Sequence, residues 1–181
     1  MLGSYIVKKF TVFSLLNKTI HRLNLMIINN NILKRIILLI WAWWAMFVTL
    51  SNVCDGLKTI GILPDSFKFV SGNFGYIQAA TQIYAFPIWL NAILFIFVIL
   101  WEGMISFLFF KAFFKFKEND NRLILLPFLS AIILFGGFLV MDEFLITYDR
   151  LGAIEQSHLG FLIGFIVSLI LARGLKEEKQ V

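Results

Sequence analysis

Four long apolar segments constrain the fold of this chain more than any other feature of its sequence. They cover residues 36–54, 87–110, 123–141 and 151–173, and a membrane-spanning helix needs about 20 apolar residues to cross a hydrocarbon core of about 30 Å. The chain is 60% hydrophobic and only 15% charged, whereas a soluble domain is about 45–50% apolar. The sequence therefore predicts an all-α integral membrane protein, a single domain over residues 36–173 with four transmembrane helices in an antiparallel bundle.

The distribution of lysine and arginine predicts the orientation of this bundle. Thirteen of the 16 lie in the first 35 residues, in the loop after the second span, and at the C-terminal end. Cytoplasmic loops carry such an excess of cations, so we expect both termini, including a charged tail at 174–181, to be cytoplasmic. A bacterial inner membrane fits this bias best. The net charge of +5 is then a property of membrane topology, and no nucleic-acid partner is indicated.

Residues 1–35 form a basic arm that contains no acidic residue. Its apolar residues recur at roughly helical spacing, which predicts a helix lying on an anionic lipid surface. A disordered tail is a second interpretation. The third is that translation starts at Met26, since the residues that follow make a short cytoplasmic leader.

Short patterns inside the spans predict how the helices pack. Trp41, Trp43 and Trp44 lie near the cytoplasmic third of the first span, which favours a belt at the lipid–water interface. The Gly136-Gly137 pair and the spacing of Gly160 and Gly164 predict close approach between helices.

The loop at 56–86 is too apolar for a free linker. Its Pro64-Asp65 pair predicts a turn, and Asn73 is placed to cap a short helix that runs to Thr81. We expect a structured outer loop that covers the outer end of the bundle or docks a partner subunit.

With this orientation, all four spans bring polar residues to within about two turns of the outer surface. Glu155 and His158 are three residues apart and share one helix face, so they are candidate metal ligands, although a di-iron bundle would need two such Glu-x-x-His motifs. A quinone or another small molecule, a metal, or a passing proton or ion could occupy a pocket here. In a purely structural interpretation, Glu155 pairs with Arg150 or Lys58, and His158 bonds to Asn52 or Asn91. The candidate pocket consists of Asn52, Asp55, Asn91, Glu143, Glu155 and His158, with Asp142 and Ser157 in the same layer.

Glu102 lies deeper, about 22 Å below the outer end of the second span at 1.5 Å per residue. An acidic side chain at that depth is costly unless it is paired or hydrated. We consider three roles: a proton or cation site, a contact with a basic residue of another protein, or a hydrogen bond to Ser130 or a backbone carbonyl. Glu102 lies about 12 Å deeper than His158, too far for both to hold one ion.

The chain contains no phosphate-binding loop, dinucleotide fingerprint, CxxC pair or serine elbow, so the sequence identifies neither a particular cofactor nor a catalytic motif. We therefore expect a non-enzymatic accessory or assembly subunit of a larger membrane complex, with lipids and a membrane protein or a second copy as partners. The alternative is a small transporter or membrane enzyme that uses Glu102, Glu155 and His158.

Overall fold

The computed structural model describes the backbone of residues 2–116, 121–147, 151 and 153–174, and side chains from residue 30 onward within these ranges, except at 121. Every regular element in this part of the chain is helical. The helices are α1 (Leu2–Thr59), α2 (Asn73–Thr81), α3 (Ile88–Phe114), α4 (Asn121–Phe144) and α5 (Ala153–Gly174), with a single 3₁₀ turn at Gln82–Tyr84.

Four of these helices contain segments long and apolar enough to cross a membrane, as predicted. The segments are Asn30–Thr59, Ile88–Phe114, Arg122–Phe144 and Ile154–Gly174. The first runs five residues past the predicted end at Cys54, and α1 ends only where Gly61 adopts a φ of 78°. A left-handed glycine at this position is a common helix terminator because it lacks a Cβ atom.

The backbone of the basic arm is helical from Leu2 and continuous with the first span. The interfacial setting of this arm and a translation start at Met26 stay predictions. The tail from residue 175 lies outside the described residues.

A core of aromatic and small side chains holds the bundle together. Phe109, Phe128 and Phe165 are fully buried, and the rings of Phe109 and Phe128 meet edge to face with centroids 4.9 Å apart. The Ser106 hydroxyl donates a hydrogen bond to the carbonyl oxygen of Ala42 at 3.1 Å and so joins α3 to α1.

Two of the three clustered tryptophans pack between helices, and because this packing does not fix their depth, the interfacial belt stays a prediction. The Trp41 indole N–H donates to the Ser168 hydroxyl at 3.0 Å, and the Trp44 ring lies 4.6 Å from the Phe161 ring. These two residues face α5, whereas Trp43 points away from it and is 45% exposed.

The glycine predictions have mixed outcomes. A Cβ atom at Gly164 would lie 3.3 Å from the Trp41 ring, so the backbone of α5 does approach α1 closely there. Cβ atoms at Gly136, Gly137 and Gly160 would meet nothing within 4 Å. Close packing at these three positions is therefore wrong for contacts within the chain.

Candidate functional site

The predicted polar layer separates into distinct hydrogen-bonded groups. The first group joins α1, α2 and α3 through Asn52, which is fully buried. The Asn52 amide nitrogen donates to Glu102 Oε2 at 2.6 Å, and the Asn73 amide nitrogen donates to Asn52 Oδ1 at 2.8 Å. A chain of amides thus leads from the loop to the carboxyl group of Glu102.

Glu102 lies near the middle of α3 and is only 5% exposed. Its partner is Asn52, and the predicted contact with Ser130 is wrong, because the Ser130 hydroxyl accepts a hydrogen bond from the Trp101 indole N–H at 3.1 Å. The backbones of α1 and α3 approach closely at this level, since a Cβ atom on Gly103 would lie 3.5 Å from Thr49 Cγ2. This proximity lets the short Asn52 side chain reach the acid.

Asn52 and Glu102 meet although the sequence placed them at different depths. Asn52 is seven residues before the end of α1 and Glu102 is fourteen residues after the start of α3. At 1.5 Å per residue these offsets are about 10 Å and about 21 Å, so α3 extends beyond α1 by about two turns. The prediction assumed that neighbouring spans end at one level, and that assumption is wrong for this pair.

Asp55 holds the start of α2. Its Oδ2 atom accepts hydrogen bonds from the Phe74 backbone N–H at 2.9 Å and from the Ser71 hydroxyl at 3.2 Å. The first N–H groups of a helix have no partner within the helix, and a carboxylate near them is favourable. The N-cap position is Gly72 and carries no side-chain cap bond, so the predicted capping role of Asn73 is wrong.

The remainder of the loop is tied to α1, α3 and α4 by separate hydrogen bonds. Asn91, at the start of α3, accepts a hydrogen bond from the Thr81 hydroxyl at 2.9 Å, and both side chains are buried. The Tyr84 hydroxyl donates to the carbonyl oxygen of Phe144 at 2.9 Å. The Lys58 ammonium donates to the carbonyl oxygens of Asp65 and Phe67.

His158 pairs with Asp142, with its Nδ1 atom 2.6 Å from Asp142 Oδ2. The predicted partners Asn52 and Asn91 are wrong, because both are engaged with α2 and α3. Asp142 Oδ1 accepts a second hydrogen bond, from the Thr147 hydroxyl at 3.3 Å. The His158 ring also packs on Phe138, with centroids 4.8 Å apart, so this pair fastens α4 to α5.

The other two predicted acids stay apart from these groups. Glu143 is exposed and Glu155 is half-buried. Lys58 does not pair with Glu155, since its ammonium is bound in the loop, and Arg150 lies outside the described residues. Among the described residues, no three His, Cys, Asp or Glu side chains are grouped as a metal site would require. Metal binding by Glu155 and His158 stays a prediction.

The sequence did not identify Ser71, Asn73 or Thr81 as members of these groups. All three lie in the loop, 16, 21 and 10 positions from their partners Asp55, Asn52 and Asn91. The only available signal was the concentration of Ser, Gly and Asn at 71–73, which indicates a turn and not a partner.

Each hydrogen bond described above joins two segments of this chain. The groups can therefore fix the relative positions of the helices and the loop, which is a structural task. No protein family, curated protein or solved structure matches the chain significantly.

Proposed function

We propose that this chain is a non-enzymatic accessory subunit that binds a partner membrane protein through the exposed face of α5. The observation that carries the proposal is the poor coverage of this helix. Only 6% of the apolar window in Ile154–Gly174 is buried, against 22% to 33% in the other three spans.

The exposed face of α5 combines large apolar side chains with a glycine. Lipid tails alone would accept the large side chains, as on any membrane helix. Gly160 is exposed as well, and a Cβ atom there would meet open space. A small residue on an open face lets a second helix approach closely, which is how many transmembrane helices associate. The large exposed residues of this face are Leu159, Ile163, Val167 and Ile170.

The internal engagement of the polar residues supports the same proposal. Asn52, Asp55, Asn91, Glu102, Asp142 and His158 all bond within the chain. A catalytic or transport site needs polar groups available to a substrate, whereas buried and mutually bonded groups stabilise a framework.

In the proposed setting the chain lies in a bacterial inner membrane with both termini in the cytoplasm. The loop end of the bundle, with α2, then faces the outer side. The cation distribution supports this orientation, because only Lys58, Lys68 and Arg150 lie on the loop side.

Gly160→Leu tests the proposal against a matched substitution, Gly137→Leu. Both glycines are exposed helical residues with open space around them, so both variants should fold and gain similar helix propensity. We expect Gly160→Leu to remove co-purifying protein or the dimeric state in mild detergent, measured by mass spectrometry and light scattering. Gly137→Leu should leave the assembly unchanged.

A wild-type chain that purifies as a monomer without any partner would contradict the proposal. So would equal assembly in wild type and in Gly160→Leu. If the two glycine variants weaken assembly equally, the specific role of the α5 face is wrong.

A further inference from the structure

Lys34 is a buried cation on the inner face of α1. It precedes Leu38 by one helical turn, and Leu38 is fully buried, while Lys34 is only 5% exposed. Ala42 and Ala45 continue the same buried stripe. Moving an ammonium group out of water is costly unless an anion or several hydrogen-bond acceptors replace the water. The stem of Lys34 is buried, but its ammonium nitrogen is not one of the buried atoms that lack a partner, so it reaches the edge of the packed region, where an anion beside it would be favourable.

The described part of the chain supplies none. The one ion pair with both partners among the described residues joins His158 to Asp142, and no described residue forms a hydrogen bond with the Lys34 ammonium. No acidic residue occurs in the described helix ends on this side of the bundle, which are residues 30–38, 109–116, 122–128 and 169–174. The acids that the sequence places on this side are outside the described residues: Glu118, Asp120, Glu177 and Glu178.

Other cations surround this end of the bundle. Trp41, three residues after Leu38, donates a hydrogen bond to Ser168, so the start of the first span lies beside the last two turns of α5. The Arg35 guanidinium lies 5.1 Å from the centroid of the Phe116 ring, at the end of α3. Four further cations lie at these helix ends and are exposed: Lys111, Lys115, Arg122 and Arg173.

The direction of the Lys34 side chain favours contact with lipid headgroups. In an α-helix the Cα–Cβ bonds tilt toward the N-terminus, so the Lys34 stem leads away from the uncharged residues 36–54 and toward the basic arm. Basic pockets between transmembrane helices bind anionic headgroups in this way.

We propose that Lys34 and Arg35 bind the phosphate group of an anionic phospholipid, whose headgroup lies against α1 and the ends of α3 and α5. The ammonium offers three donors and the guanidinium a planar fork. The surrounding exposed cations favour a net negative headgroup over a zwitterionic one. This inference does not depend on the proposed role of α5.

The test uses the full chain in detergent, stripped of lipid, with its midpoint of thermal unfolding as the readout. Phosphatidylglycerol, phosphatidylcholine and inorganic phosphate at matched ionic strength are the three titrants. We expect phosphatidylglycerol alone to raise the midpoint, because a ligand that binds the folded state stabilises it. Native mass spectrometry of the same protein should show retained phosphatidylglycerol.

Lys34→Met removes the charge and keeps an apolar stem, so the variant should fold. We expect its apparent affinity for phosphatidylglycerol to fall about tenfold, the effect of losing one charged hydrogen bond. Lys111→Met removes the same charge from an exposed position at the same end and should lower the affinity only about twofold.

Four outcomes would overturn the proposal. Equal losses in Lys34→Met and Lys111→Met would mean general surface attraction, as would equal stabilisation by phosphatidylcholine. Lys34-dependent stabilisation by inorganic phosphate as strong as that by phosphatidylglycerol would assign the site to a soluble phosphate. If Lys34→Met is less stable than wild type without lipid, and lipid does not stabilise wild type, then the partner of Lys34 is an acidic residue of the chain itself.

Discussion

Asn52 is the residue on which the contacts at the loop end of the bundle depend most. Its amide nitrogen reaches Glu102 on α3 while its amide oxygen accepts from Asn73 on α2. An amide can serve in both directions because it carries donors and acceptors on one short side chain. Loss of this residue would leave the buried carboxyl group of Glu102 and the half-buried amide of Asn73 without this partner, whereas a change at Glu102 can preserve the Asn52 bond.

Asn52→Leu should therefore lower the stability of the protein much more than Glu102→Gln. We expect Asn52→Leu to lower the free energy of unfolding by about 2–3 kcal/mol, the cost of leaving a buried polar or charged group unsatisfied. Glu102→Gln keeps an oxygen that accepts from Asn52 and should change stability by less than about 1 kcal/mol. Unfolding by a denaturing detergent in mixed micelles measures both.

Glu102→Gln also tests the transporter alternative. As a structural acceptor, Glu102 should tolerate the change without a cellular phenotype. Loss of a transport-linked phenotype at unchanged membrane abundance would favour a proton or ion role for this acid and would count against the accessory-subunit proposal.

At the scale of elements, the short helix α2 depends on a residue of another helix. Asp55 of α1 accepts from the Phe74 backbone N–H in the first turn of α2. The Phe74 ring then packs against Phe95 of α3, with centroids 5.5 Å apart. The loop is thus held from two sides, by a polar contact to α1 and an aromatic contact to α3.

Asp55→Ala should loosen the start of α2 and leave the four spans intact. Loss of a capping carboxylate typically costs about 1 kcal/mol, so we expect amide hydrogen exchange at residues 73–76 to accelerate about fivefold. Asp65→Ala is a suitable control because Asp65 is exposed in the same loop. Unchanged exchange in Asp55→Ala would mean that the aromatic contact alone holds the helix.

At the scale of the whole molecule, the orientation of the bundle can be measured directly. Cys54→Ser first removes the native cysteine. In that background, Asp65→Cys places a single thiol on the loop, and Lys115→Cys places one at the end of α3. Both positions are exposed. We expect a membrane-impermeant maleimide to label Asp65→Cys in cells whose outer barrier is opened. Lys115→Cys should react only after lysis. The reverse pattern would invert the proposed topology.

The sequence was sufficient to predict the membrane-spanning segments, and it was insufficient to predict which of their polar residues bond to one another. Length and hydropathy fix where a helix can cross a bilayer, so Ile88–Phe114 was predicted within a few residues. The pairing of Asn52 with Glu102 depends on how far α3 extends past α1, and no local pattern encodes that offset. Similarly, the contact of Asp55 with Phe74 requires the loop to fold back over 19 positions.

The hydrogen bond from Trp41 to Ser168 spans 127 positions of the chain, and this separation has a consequence for biosynthesis. The first span enters the membrane long before Ser168 is translated, so α1 must wait for α3 and α4 to be inserted before its last neighbour arrives. During that interval the aromatic side of α1 that α5 later covers is in contact with lipid or with the insertion machinery. A polypeptide interrupted after α4 lacks this closing contact, which gives cellular quality control a feature by which to distinguish incomplete chains from finished ones.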